Sequence, residues 1–363
     1  MSDLELLSPV QVGPYTLRNR MVMAPMTRNR AGEGDAPTPL TATYYEQRSS
    51  AGLLVTEGSQ VAPEGMGYPN TPGIYSDLQV EGWKRVTEAV HGRDGRIFLQ
   101  LWHVGRASDP TFQPGGALPV APSAIPIQGN FRSRTGTWPY ATPRALGLAE
   151  IPRVVQQFAE GARRAKEAGF DGVEIHGANG YLIDQFLRDG TNQRTDVYGG
   201  SVENRARFLV EVTEAVAGVF GADRVGVRLS PTGEYNDMSD SDPLATFGYA
   251  AGALSPLGLA YLHVVAPGAW DPSTREHEIA RTLRERFGGR LMLNGGFDRE
   301  TGNQVVSEGL ADLVSFGTLF LANPDLPERF AEGASLNAPD RATFYGGAEK
   351  GYIDYPTRLE VAA

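Results

Sequence analysis

Eight short apolar or β-branched runs recur along this 363-residue chain, and longer stretches with helical spacing separate them. The runs are Met21–Met26, Leu53–Glu57, Ile97–Trp102, Gly172–His176, Val225–Leu229, Tyr261–Val265, Arg290–Leu293 and Leu313–Phe316. Between them Trp83/Val86/Val90 and Val154/Val155/Phe158/Ala162 return at three and four residues, as one apolar helix face does. Phe208/Val212/Val219 and Ile279/Leu283 follow the same rule. Strands apolar on both faces need cover on both sides, and strand–helix–strand units cross over right-handed. Eight such units predict an α/β fold, a (β/α)8 TIM barrel. No linker, repeat or low-complexity tract divides the sequence, so residues 1–363 are expected to form a single domain.

Two additions interrupt the pattern. Val10-Gln-Val-Gly-Pro-Tyr-Thr-Leu17 reads as a hairpin turning at Gly13-Pro14, placed to plug the bottom of the barrel. Residues 104–150 are rich in Pro and Gly and too long for a plain loop. They follow the third strand on the catalytic face, which makes them a capping insertion.

Composition narrows the function. Hydrophobic residues at 41% and charged residues at 21% describe a globular protein with ample core. A net charge of −10 argues against nucleic acid or an anionic membrane as partner. No apolar run approaches the roughly 18–20 residues of a membrane span, and the start Met1-Ser-Asp-Leu-Glu5 is no signal peptide, so the cytoplasm is the expected location. The chain has no cysteine, which excludes disulfides, thiolate nucleophiles and Cys-held zinc or iron–sulfur clusters. None of its five histidines shows a metal-ligand spacing, so no metal site is expected. HExxH, GxSxG, Walker and GxGxxG motifs are also missing.

In such a barrel the chemistry sits at the C-terminal ends of strands, and phosphates bind after strands seven and eight. Strand four ends in Gly172-Val-Glu-Ile-His-Gly-Ala-Asn-Gly-Tyr181, so His176, Asn179 and Tyr181 project hydrogen-bonding groups from one strand end. Strand one ends in Ala24-Pro25-Met26-Thr27-Arg28, and strand two near Gly58, where a missing Cβ allows a flat ring to approach. Strand three carries Gln100, Trp102 and His103, the last read as a packing residue. Arg228 stands inside the apolar fifth strand, a costly place unless paired with an electron-rich ligand or a carboxylate. Gly295-Gly296 and Gly317-Thr318 offer backbone N–H groups at the two phosphate positions.

These segments are joined by Tyr181-Leu-Ile-Asp-Gln-Phe-Leu-Arg-Asp-Gly-Thr-Asn-Gln-Arg194, Val197-Tyr-Gly-Gly-Ser-Val-Glu-Asn-Arg205, Leu321-Ala-Asn-Pro-Asp-Leu-Pro-Glu-Arg329 and Phe344-Tyr-Gly-Gly-Ala-Glu-Lys-Gly-Tyr-Ile-Asp-Tyr-Pro356. From Pro9 to about Tyr355 the chain resembles the old yellow enzyme family of FMN-dependent ene-reductases, in the form without a flavin-site cysteine. The resemblance implies tightly but non-covalently bound FMN, reduced by NADPH or NADH. The substrates would be activated alkenes (enones, enals, maleimides, nitroalkenes), phenols would bind as ligands, and the protein would be a monomer or homodimer. It implies that His176 and Asn179 grip the carbonyl or nitro oxygen while Tyr181 donates the proton. Thr27 would donate to flavin O4, with Pro25, Met26 and Gly58 along the ring. Gln100 would meet the pyrimidine edge, Arg228 would lie near N1 and C2=O, and Gly295, Gly296, Gly317 and Thr318 would hold the phosphate. Tyr68, Trp102, Trp270 and Tyr345 would line the substrate cavity.

One position departs from the pattern. Relatives carry Arg after the Phe-Gly of strand eight, where this chain has Thr318, and a nearby Arg such as Arg299 would have to compensate. Arg132, Arg134 and Arg144 in the cap form a basic cluster suited to the 2′-phosphate of NADPH. Two other readings stay open. A flavin-free phosphate-binding barrel isomerase or aldolase would want a strand-end Lys or paired carboxylates. A non-catalytic flavin- or ligand-binding barrel would keep the pocket without turnover.

Overall fold

The eight apolar runs pair side by side in chain order. The computed structural model describes residues 4–132 and 136–361. Its barrel strands are Met21–Met23, Leu53–Val55, Ile97–Trp102, Gly172–Gly177, Val225–Leu229, Tyr261–Val265, Leu291–Asn294 and Leu313–Phe316. Each is parallel to the next, and strand eight pairs with strand one, which closes the barrel. Strand one stops at Met23 rather than Met26, because Pro25 has no N–H for the ladder. Strand two stops at Val55, and a short strand Ser59–Gln60 pairs instead with Leu101 and Trp102. Strand seven runs to Asn294, one residue beyond the apolar run.

Side chains inside the barrel alternate with those outside and stack in layers. The bottom layer is apolar: Val22, Leu53, Val55, Phe98, Tyr261, Met292 and Leu313 pack together with Val10, Val12 and Leu17. The last three belong to an antiparallel hairpin, Val10–Val12 with Tyr15–Leu17, which therefore plugs the base. The layer above is polar and contains Gln100, Glu174, Arg228 and His263. Paired residues share a face, so the register His176–Arg228–His263 and the pair Gln100–Glu174 line the upper interior.

The helices cover the outside. Helix Asp77–His91 is capped by Ser76, whose hydroxyl accepts from Gln79 N–H, and it buries Val80, Trp83, Val86 and Val90. Helix Ile151–Glu167 buries Val154, Val155, Phe158 and Ala162 as its spacing predicts. On helix Val202–Phe220 the buried line is Phe208, Val212 and Val216, with Val219 only half-buried. Burying each large aliphatic or aromatic side chain stabilises the fold by about 1.5–3 kcal/mol. Among the described residues no helix is long and apolar enough to cross a membrane.

The cap has structure of its own. Asn130–Arg132 pairs antiparallel with Thr137–Pro139, and Val120–Ala121 pairs parallel with Arg144–Ala145. Phe131 is buried in the cap and packs on Phe112 and Tyr140. Buried Arg106 fastens the cap to the loop after strand five by donating to the carbonyls of Ile125, Asn236 and Asp237.

Candidate active site

At the C-terminal end of the barrel, a cavity of about 340 Å³ is walled by Pro25, Met26, Thr27, Gly58, Gln100, Trp102, His176, Asn179, Tyr181, Arg228, Thr318 and Tyr345. Tyr235, Leu321 and Phe344 complete it. A second cavity of about 590 Å³ shares Thr27, Tyr181, Tyr235 and Tyr345 with the first and extends outward past Tyr68, Phe131, Arg132 and Tyr140. Tyr68 belongs to this outer space. Trp270 lines neither cavity; its ring packs against Phe297 at 5.0 Å, beside Gly296.

The turn after strand four is held from below. Asn179 adopts φ 56° and Gly180 φ 73°, which reverse the chain just past His176. Asn179 N–H donates to Ser230 Oγ at 2.7 Å and Gly180 N–H to Asp184 Oδ2 at 2.8 Å. Asp184 is in turn paired with Arg188 Nε at 2.9 Å, both buried, and Arg188 also donates to the carbonyls of Ser230 and Gly233. Gln185 donates to the carbonyls of Val104 and Gly180 and so ties the turn to the end of strand three. The motif residues Asp184, Gln185 and Arg188 thus act as supports for the three side chains that face the cavity.

Those three have defined electrostatics. Burial, and then the nearby Arg228 charge, hold the His176 imidazole well below its ordinary pKa, so it is neutral. Its Nδ1 accepts from Ala178 N–H at 3.3 Å, which leaves the ring proton on Nε2 as a donor. Burial raises the pKa of the Tyr181 phenol, and its hydroxyl donates to Tyr68 Oη at 3.3 Å. Trp102 packs edge-on to Tyr181 at 5.0 Å and lies nearly parallel to Tyr68 at 5.7 Å. Gly58 is required beside it, since a Cβ there would sit 2.8 Å from the indole.

On strand five, Arg228 donates to Asn294 Oδ1 at 2.9 Å, and Asn294 donates to Ser315 O at 3.0 Å. Arg228 Nε and Trp102 Nε1 are buried with no partner among the described residues. An unpaired buried guanidinium nitrogen costs about 1–3 kcal/mol or more, so this wall is built for an acceptor that the polypeptide does not supply. A planar, electron-rich ring with carbonyl and N–H edges fits that wall: Gln100 offers both hydrogen-bonding functions, Thr27 a hydroxyl and Arg228 a positive charge. The phosphate turns stand at the expected strand ends. Gly295 and Gly296 take φ 136° and 81°, and a Cβ on Gly295 would strike the Pro267 backbone at 2.6 Å. Thr318 opens the helix Thr318–Ala322. Arg299, the nearby Arg, is engaged elsewhere in this structure: its guanidinium donates to Phe330 O at 2.7 Å and to Glu300.

Three buried arginines that carried no role in the sequence reading shape the mouth of the cavity. Arg28 donates to the carbonyls of Phe344 and Gly351, Arg30 to those of Ala348, Thr343 and Lys350, and Arg48 to those of Phe320 and Leu321. Arg28 and Arg48 also lie over the Tyr44 ring, and Arg28 and Arg30 over the Tyr352 ring. This clasp binds the C-terminal segment to the loop after strand one and suspends Phe344 and Tyr345 over the cavity. The Arg28-x-Arg30 spacing and the Tyr44-Tyr45 pair were the available signal. Tyr235, 59% exposed in the loop after strand five, had only its place on the catalytic face to mark it.

The chain matches the model of the NADH:flavin oxidoreductase / NADH oxidase family over residues 5–337. It is 48% identical over 371 residues to 12-oxophytodienoate reductase 7 of Oryza sativa subsp. japonica, covering 97% of this chain and 94% of that one. It is 44% identical to 12-oxophytodienoate reductase 2 of Arabidopsis thaliana, over 98% of this chain and 96% of the relative. Among solved structures it resembles morphinone reductase in complex with tetrahydroNAD, with TM-score 0.92, 49% identity and 97% coverage of both chains. It also resembles the old yellow enzyme homologue from Zymomonas mobilis, with TM-score 0.93, 46% identity, and 97% and 99% coverage. The barrel, the donor-rich cavity at its C-terminal end and these likenesses lead to one conclusion: the chain belongs to the old yellow enzyme family, and it is an FMN-dependent oxidoreductase that uses a reduced nicotinamide to reduce activated alkenes.

Proposed function

We propose that His176 and Asn179 grip the electron-withdrawing oxygen of the alkene and that Tyr181 protonates its α-carbon. The observation that carries this reading is their convergence, with Thr27, Gln100 and Arg228, on one 340 Å³ cavity. FMN, when bound, would supply the two-electron hydride chemistry that links the nicotinamide to the β-carbon. The His176 Nε2–H and the Asn179 amide donate to the substrate oxygen, polarise the alkene and stabilise the negative charge that develops there. The phenol of Tyr181, kept protonated by burial, is placed beside both and delivers its proton to carbon. Thr27, Gln100 and Arg228 would hold the flavin ring, and the turns at Gly295–Gly296 and Gly317–Thr318 would hold its phosphate. Enones, enals, maleimides and nitroalkenes all carry the required oxygen, and phenolates mimic the charged product of hydride addition. The reading includes a single domain, a cytoplasmic location and a monomer or homodimer; globular composition and the absence of a dividing linker support the first of these.

Titration with a para-substituted phenol tests the oxygen site. The native protein is expected to develop a long-wavelength charge-transfer band. Replacing both His176 and Asn179 by Ala should weaken phenol binding and slow enone reduction together, with each donor contributing about 3–4 kcal/mol in the transition state. A full band at unchanged affinity in the double variant would remove both residues from the role.

A further inference from the structure

Beneath the cavity runs a chain of hydrogen bonds that none of these roles uses. Gln100 Nε2 donates to Glu174 Oε1 at 2.8 Å, the other carboxylate oxygen meets His263 Nδ1 at 2.8 Å, and His263 Nε2 meets Ser315 Oγ at 2.8 Å. The four residues come from strands three, four, six and eight, and none is more than 2% exposed. Ser315, His263 and Glu174 follow the order of a nucleophilic triad, but the buried serine is no part of the cavity wall and its hydroxyl is engaged. The chain is therefore a support, and its polarity is set at Glu174. Burial pushes that carboxyl up, yet His263, Arg228 and Gln100 outweigh burial and hold it below the ordinary value, so it is ionised. An ionised carboxylate only accepts. The Gln100 amide must therefore turn its NH2 toward Glu174, and His263 must carry its proton on Nδ1 and accept from Ser315 at Nε2. The reverse amide would set two oxygens against each other in a site without solvent.

We infer that Glu174 is the positioning residue for the cofactor contact of Gln100: it selects the amide orientation that presents Oε1 and the second N–H to the cavity, and His263 and Ser315 lock it in place. An acceptor beside a donor is the complement of the flavin pyrimidine edge, where one N–H is flanked by carbonyls. The inference rests on the placement of FMN against Gln100 proposed above.

The test is FMN binding to the full chain stripped of cofactor, read by quenching of flavin fluorescence, with FMN and its N3-methyl derivative as probes. Glu174→Gln can meet either face of the Gln100 amide. It is expected to weaken FMN about three- to tenfold and to narrow the preference for FMN over the N3-methyl form. On a Gln100→Ala background the same substitution should cost nothing further. Ser315→Ala, a milder change, should show a smaller loss that also vanishes on that background, and it decides the matter if Glu174→Gln does not fold. Additive losses, or an unchanged probe preference, overturn the positioning role. Unchanged FMN affinity in Gln100→Ala alone instead overturns the placement of the ring against Gln100.

Discussion

A residue that protonates carbon must hold its proton at neutral pH and release it only to a strong base. Tyr181, the proposed donor, fits that requirement: burial raises its pKa while Tyr68, Trp102 and His176 pack around its ring. Tyr181→Phe is expected to leave FMN binding and reduction by the nicotinamide intact while slowing enone reduction by about 10²–10⁴-fold, less where solvent replaces the phenol. Stopped-flow measurement of the two half-reactions checks this, and a slow reductive half with a normal oxidative half would contradict it. Thr318 carries a second expectation at the same scale. Arg299 is engaged by Phe330 and Glu300, and Thr318 stands where the family resemblance implies an Arg. Thr318→Arg should therefore lower the FMN dissociation constant about ten- to hundredfold, the equivalent of one charge-assisted hydrogen bond. Fluorescence quenching reads the change, and weaker binding would mean that another group already holds the phosphate.

Among the elements, the cap supplies Asn130, Phe131, Arg132 and Tyr140 to the outer cavity. Of the three cap arginines in the basic cluster, Arg132 lines that cavity, Arg134 lies outside the described residues, and Arg144 is committed to Glu150 by two hydrogen bonds of 2.6 and 2.9 Å. The expected NADPH grip therefore narrows to the hairpin that carries Arg132. Arg132→Ala should raise the KM for NADPH about three- to tenfold and leave that for NADH unchanged. Equal effects on the two coenzymes in steady-state assays would exclude a contact with the 2′-phosphate. The turn after strand four shows the opposite use of charge. There Asp184 and Arg188 are paired beneath His176, Asn179 and Tyr181, so their contribution is rigidity rather than ligand binding.

For the whole molecule, the clasp around Arg28, Arg30 and Arg48 joins the first barrel loop to the C-terminal segment, and Glu57 lies within it. Glu57 Oε2 accepts from Arg28 N–H at 2.9 Å, and burial pushes its pKa up to about 7. A carboxyl raised in the folded state binds more protons there than in the unfolded chain. This part of the stability is complete below the ordinary carboxylate pKa of 4.5 and is lost as pH rises through about 7. The slope is at most about 1.4 kcal/mol per pH unit. Thermal midpoints of native protein and Glu57→Gln, measured from pH 5 to 8, should converge or cross as the native protein loses this contribution. Parallel curves would show that Glu57 does not titrate in that window.

The sequence by itself determined the barrel, because eight doubly apolar runs alternating with helical faces have few other ways to bury themselves. It also placed Gln100, His176 and Arg228 on the barrel strands and Asn179 and Tyr181 in the turn just past strand four, on the face where such barrels carry their chemistry. Tertiary structure decided what those side chains rest on. Glu174 and His263 read in one dimension as isolated polar residues in apolar strands, and only the register across the closed sheet joins them to Gln100 and Ser315. The same holds for Arg28, which meets Gly351 across 323 positions of chain, and for Trp270, which leaves the cavity wall to pack on Phe297. Period and spacing record which way a side chain points, whereas its partner depends on closure of the chain over distances that local pattern does not encode.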